Sequence, residues 1–332
     1  MIASAALAGW LADADGQKRS QVAAEALARH WIRHPLMTEV HDQLAALPAH
    51  SGASAILDIA RGFMAKQGDI AAMVESLISA AADDPYFNPP FHPVANDVYA
   101  GLLLLHKPEL SVLLGVSAVD MVAERKTEAR GATSLIFNGH TTLFRYVKAG
   151  NATISFWEAP PITSDFVASQ AGKCRLTGRR TIKDGEEILT DGRYQTFVIE
   201  HVTGDMVFYQ ATARQDAAPL SVEYDSKTLS FIGASSTDEA TSRVQMMVSM
   251  LRTMERDDAF PLIEDALASP HFYTRWHIMR ELLAMDADAA LPALRRMAAN
   301  DPHPEVRAAA QQTLEMFFED EPIEEGPVKC RA

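Results

Sequence analysis

Apolar side chains recur at helical spacing from residue 1 to about 83, where β-branched residues are sparse. Ala23, Leu27, Ala28 and Trp31 form one stripe, Ile56, Ile59, Ala60 and Phe63 a second, and Ile70, Met73, Val74, Leu77 and Ile78 a third. Each is predicted to be the buried face of a helix. Asp69, just after Gly68, is the expected N-cap of the last. Helical reading stops at DDPYFNPPFHP, residues 83–93, because proline lacks a backbone donor and keeps its predecessor out of helical geometry. Residues 84–93 are read as a linker. From 94 to 236 the rhythm changes: VYAGLLLLH, LSVLLGVSAVDMVA after the turn residues Lys107 and Pro108, TSLIFNG, TTLFRYVKAG, NATISFWEA, QTFVIEHV, DMVFYQATA and LSVEYD are separated by turn signals such as Ala149-Gly150-Asn151, Asp184-Gly185, Asp191-Gly192 and Gly204-Asp205. Strands punctuated in this way predict an all-β sandwich or barrel.

Beyond Thr237 the helical period returns and the chain repeats itself. Pro261 matches Pro292, Pro270-His271 matches Pro302-His303 and Arg275 matches Arg307, an offset of 31 to 32 residues. Thr274, Ile278, Leu282 and Met285 align with Val306, Ala310, Leu314 and Phe317. Helix, proline-marked turn and second helix is the logic of an α-solenoid. With its repeated P-H-x-x-x-R element, the segment resembles the short HEAT-like repeats found in many bacterial proteins, and the resemblance implies a surface for another protein. Two units are fewer than the three or so that a free stack needs, so they are expected to lean on the helix at 238–254 and on the β region. His271 and His303 recur with the repeat and are read as structural; Phe272 and Trp276 are read as core. Residues 319–332 form an acidic tail.

Composition narrows the picture. The chain has 332 residues, 48% hydrophobic and 22% charged, which is globular and long enough for two or three domains. A formal charge of -14 repels phosphate backbones, so no nucleic-acid partner is expected. Cys174 and Cys330 are too few for a disulfide framework, and no apolar run reaches the length of about 18 residues that a membrane span requires. The N-terminus has no basic residue before its apolar part, and carboxylates arrive at Asp13 and Asp15, a poor match to a secretory leader. A reducing cytoplasm is the expected home.

The runs HTTLFRYVKAGNATISFWEA and IKDGEEILTDGRYQTFVIEH resemble the two strand-turn-strand halves of a cupin, a small jelly-roll barrel. That resemblance implies two histidines and a glutamate in the first half and a histidine in the second, a donor set for a divalent metal with positions left open. Aligning Gly150 with the family's turn glycine puts Leu143 at the glutamate position, Ile136 and Asn138 near the histidine pair, and Gln195 at the last histidine. None of the four ligands survives. The resemblance therefore implies the fold without its metal chemistry, and no cofactor is predicted.

Alternation counted from Leu143 predicts Arg145 and Val147 pointing inward, with Gln195, Phe197 and Ile199 facing them from the partner half. Arg145, Gln195 and Phe197 are the expected ligand-binding set, and an inward arginine implies a small anionic ligand. The competing reading pairs Arg145 with Glu158 or Glu200, or lets it reach solvent at the barrel mouth, and makes it structural. Two metal readings, for iron, manganese or zinc, stay open: a displaced set of His140, Glu158 and His201 serving a cupin-type oxygenase or isomerase, and a zinc site at His30, His34 and His41, the first two a helical turn apart. Cys174 lies between Lys173 and Arg175, which could activate it. No nucleophile elbow or phosphate-binding glycine loop occurs. The expected architecture is multidomain α and β: helices at 1–83, a cupin-like barrel at 94–236 and HEAT-like repeats at 237–318. The expected function is non-catalytic binding or scaffolding.

Overall fold

The computed structural model describes residues 5–84, 86–89, 92–96, 99–119 and 134–318; the tail with Cys330 lies outside them. The chain forms two compact units, Met1–Ile162 with Gly172–Ala234, and Thr163–Ala171 with Ser235 onward. The N-terminal helices thus belong to the barrel's unit.

In the first unit, α1 (Ala5–Ala12), α2 (Ala14–Ile32), α3 (Pro35–Ala45), α4 (Ala53–Ala65) and α5 (Gln67–Asp83) precede the strands. Asp13 caps α2 by accepting from the Gly16 N–H at 2.8 Å, and the His34 ring accepts from the Leu36 N–H at the head of α3. Asp69 is not a cap: α5 begins two residues earlier, and the carboxylate sits in its first turn, where the helix dipole favours it.

The strands are β1 (Pro93–Ala95), β2 (Ala100–His106), β3 (Leu110–Ser117), β4 (Ser134–Phe137), β5 (Thr141–Lys148), β6 (Thr153–Glu158), β7 (Arg175–Thr181), β8 (Glu187–Asp191), β9 (Gln195–His201), β10 (Met206–Ala213), β11 (Leu220–Asp225) and β12 (Phe231–Ser236). They form an antiparallel sheet ordered β1-β2-β3-β10-β5-β8 and two three-stranded sheets, β12-β11-β4 and β7-β6-β9. Neighbours far apart in sequence, such as β3 and β10, are the mark of a jelly roll rather than a meander, and the barrel is cupin-like. At the β5–β6 turn Gly150 takes φ +57°, and a Cβ there would lie 2.2 Å from the Gly204 carbonyl oxygen. Only glycine fits that left-handed corner.

Two cores share the large sheet. On its outer face Leu57, Ala60 and Met64 of α4 pack with Leu110, Val112, Leu143 and Ala211. Between the sheets Tyr146, Ile154, Ile188, Met206 and Phe208 pack with Phe144 and Phe197. Side chains of β5 therefore alternate between cores: Leu143 and Val147 face the helices, Phe144 and Tyr146 face the barrel interior. This reverses the register expected from Leu143, and Arg145 goes outward with it.

The second unit holds α6 (Glu239–Thr253), α7 (Phe260–Asp265), α8 (Phe272–Met285), α9 (Ala287–Asn300) and α10 (Pro304–Phe317). Asp238 caps α6 through the Ala240 and Thr241 N–H groups, and α6 packs on α8, where Ser249 donates to Glu281 at 2.7 Å. The repeated arginine has one job in both copies. Arg275 Nη1 donates to the Ser269 and Pro270 carbonyls, and Arg307 Nη1 donates to those of Asp301 and Pro302. Each fastens the turn before its own helix. Arg275 also spans the repeats, its Nε and Nη2 each 2.7 Å from the buried Asp301 carboxylate. His271 and His303 occupy N-cap positions without capping through their side chains; His303 stacks on Phe272 at 3.7 Å. The helix equivalence is imperfect, since Pro261 starts α7 while Pro292 lies inside α9, and Phe317 is 72% exposed. Residues 163–171 join this unit, the Ala168 N–H donating to the Glu305 carboxylate at 2.6 Å.

Two stability experiments follow from these cores. Leu143→Ala should destabilise the first unit by about 2–5 kcal/mol in urea denaturation, as truncation in a packed core does; a loss near zero would place Leu143 outside the helix–sheet core. Burial alone would raise the Asp301 carboxyl, but the Arg275 hydrogen bonds and the His303 N–H outweigh it and hold it below the usual carboxylate range. With the folded value below the unfolded one, its stabilisation is full above about pH 3.9 and fades as pH falls through the folded value. Asp301→Asn should cost about 3–5 kcal/mol at neutral pH by stranding Arg275, and should flatten that acid-side slope in the unfolding of the second unit.

Candidate ligand cavity in the barrel

A cavity of about 370 Å³ opens between the large sheet and β9. Thr142, Phe144 and Tyr146 line it from β5, Met206, Phe208 and Gln210 from β10, and Gln195, Thr196, Phe197 and Ile199 from β9. Ile136 and Asn138 stand at its edge. The aromatic groups are in contact: Phe144 meets Phe197 edge-on at 5.0 Å, and Tyr99 meets Phe208 at 5.7 Å. Gly192 holds the rim closed, since a Cβ there would come within 1.9 Å of Asn138 Oδ1, which accepts from the His140 N–H.

Two members of the expected ligand set, Gln195 and Phe197, line the cavity. Gln195 Nε2 donates to Glu158 Oε1 at 3.3 Å, and its own oxygen accepts from the Asp191 N–H at 3.5 Å. Arg145 does not reach it. Its Nη1 lies 3.7 Å from Glu187 Oε1 on the helix side of the sheet, and Arg61 of α4 donates to Oε2 of the same glutamate at 3.1 Å. The competing pairing with Glu158 or Glu200 is not made either, because those carboxylates hold Arg175 and Arg179. The physical cause is the reversed register of β5. Consequently no described residue lining the cavity is charged, and the anionic ligand inferred from an inward Arg145 loses its basis.

The same reversal completes the comparison with the cupin metal positions. Thr142, not Leu143, faces inward at the glutamate position, and Ile136, Asn138 and Gln195 line the cavity with it. An alkyl group, two amides and a hydroxyl offer no anionic or imidazole donor to a divalent ion, so this donor set does not fit the family's metal. The displaced set does not assemble: Glu158 pairs with Gln195 at one end of the β6–β9 ladder, and His201 with Thr153 at the other. His140, its pKa lowered by burial and by Arg214, lies outside the cavity lining. His30 and His34 have ring centroids 6.4 Å apart, but His34 spends its Nδ1 on the α3 cap. Among the described residues no three His, Cys, Asp or Glu side chains group as metal ligands. Cys174 is buried, and burial pushes its thiol up, opposite to the activation expected from its neighbours.

Thr142 was missed as a cavity residue. It is 1% exposed, and its hydroxyl has no hydrogen-bond partner. No sequence signal separates it from Leu143, since both faces of β5 are covered.

A family model for HEAT repeats matches residues 234–315, a span that includes α6 as well as the repeats. The chain resembles ectoine synthase from P. lautus at 11% identity, covering 37% of this chain and 69% of that one, with a TM-score of 0.23. Hydroxypropylphosphonic acid epoxidase from S. wedmorenis is similar at 12% identity over 37% of this chain and 55% of that one, TM-score 0.24. The capsular polysaccharide assembling protein CapF from Staphylococcus aureus is similar at 11% over 51% of this chain and 38% of that one, TM-score 0.24. No curated protein matches. No described helix is long and apolar enough to cross a membrane.

Proposed function

We propose that this chain is a non-catalytic binding or scaffold protein, in which the HEAT-like unit engages another protein and the barrel holds a small molecule without a metal. The observation that carries the reading is the set Ile136, Asn138, Thr142 and Gln195 around a cavity whose described lining has no charged side chain. An active-site metal needs ligands that are anionic or imidazole, and general acid–base work needs a titratable group near neutrality; neither stands among these residues.

The partner half is supported by an asymmetry within the helical unit. Where α8 presents Trp276 and Leu283 to the second repeat, the equivalent places of α10 are Ala308 and Glu315, which carry no large apolar side chain to seat a third repeat. The face of α6 turned away from α8 carries exposed Met246, Met247, Met250 and Met254 instead. Methionine is adaptable, and a single helix face is smaller than the roughly 800 Å² per partner of a standard stable interface. The occupant proposed is an amphipathic helix of a partner protein, laid along α6.

Protein purified without chelators should contain iron, manganese and zinc at far below one ion per chain by elemental analysis. Stoichiometric metal lost on Gln195→Ala or His140→Ala would overturn the metal-free reading. For the partner half, a photo-crosslinker at position 247 should give discrete adducts in source-cell extract that one at position 311 does not. Equal labelling at the two would sink the α6 assignment.

A further inference from the structure

The chemistry of the cavity goes further than its lack of a metal. Every described group lining it is neutral, and burial, above all, keeps the Tyr146 hydroxyl protonated by pushing its pKa well up. An anion entering this space would lose its hydration and find no cation, since Arg145 is committed to the other face. Tyr99, Phe144, Tyr146, Phe197 and Phe208 bring ring faces and edges to the walls, Phe144 lying 5.0 Å from Phe197 and 6.1 Å from Phe208. Such walls favour a flat apolar body in offset or edge-on contact. A volume of about 370 Å³ is at the small end of ligand pockets, which run roughly from 300 to 1,000 Å³.

One polar feature points to a ligand independently of shape. The Thr142 hydroxyl is buried on the inner face of β5 and makes no hydrogen bond. Buried polar groups are almost always paired, and one left unpaired in a cavity wall is an open position for a ligand's polar atom. Gln210, opposite Phe144 in the β5–β10 ladder, lines the same wall with a neutral amide.

We propose that the barrel cavity binds an uncharged, flat, largely apolar small molecule of one or two rings, with a neutral polar substituent hydrogen-bonded to Thr142. The proposal rests on the reading of the barrel as a metal-free holder. It differs from that reading in naming the ligand's charge and shape.

The test uses the full-length chain and a matched pair of probes, benzamide and benzoate, which share a ring and differ in charge. Titration calorimetry or saturation-transfer NMR in the presence of EDTA should show saturable benzamide binding and at least tenfold weaker benzoate binding. Thr142→Val, nearly isosteric, should weaken benzamide about three- to tenfold, the effect of one neutral hydrogen bond. The same variant should melt no lower than the parent without ligand, because it removes an unpartnered hydroxyl. Benzoate binding as tight as benzamide, or neither probe saturating, overturns the proposal, as does a Thr142→Val variant that binds benzamide unchanged. Benzoate binding that appears only when iron, manganese or zinc is added defeats the metal-free reading instead.

Discussion

A strand with one wet face announces its orientation, and β5 has no wet face. Leu143 is sealed under α4 on one side while Thr142 and Tyr146 are sealed in the barrel on the other. The helices of residues 5–83 create this situation by covering the outer face of the six-stranded sheet, which in a bare barrel would meet water. Remove that cover and Leu143, Val112 and Ala211 would form an exposed apolar patch. The barrel and its helices form one compact unit for this reason.

The same cover decides the electrostatics. A strand register moves every side chain to the other face when it shifts by one residue, so the choice between Leu143 and Thr142 as the inward residue is also the choice between a charged and a neutral interior. With Leu143 outward, Arg145 emerges beside α4, where Glu187 and Arg61 meet it at the half-exposed edge of the helix layer. What remains inside is aromatic, with amides and hydroxyls. A neutral interior favours recognition by shape and single hydrogen bonds over ion pairing or metal chemistry.

The helical unit handles the shortage of repeats differently. Two repeats cannot bury both outer faces of a stack. Here α6 covers one side of α8 through the Ser249–Glu281–Arg252 cluster, and α10 carries Ala308 and Glu315 where α8 has Trp276 and Leu283. Between the repeats Arg275 binds the turn of its own repeat and the carboxylate of the next, so one side chain fixes both the local turn and the register of the stack. The recurrence of P-H-x-x-x-R reflects this geometry. Phe272, read as core, packs there with the ring of His303 stacked on it.

Much of this was legible from local patterns. Helix stripes such as Ile56, Ala60 and Phe63 are buried in α4, and the 31- to 32-residue offset matches the α8 and α10 pair. Strand β7 was not legible, because RLTGRRT lies at a sheet edge with nearly all its side chains in water and has no apolar alternation to read. Sequence by itself determined where chain segments are periodic and where they turn, since those depend on neighbours within a few residues. Tertiary structure alone decided which face of β5 looks inward, that Arg145 leaves the cavity and that Thr142 enters it. A period of two says that alternate residues face opposite ways, but when both faces are buried only the elements packed against each can say which is which.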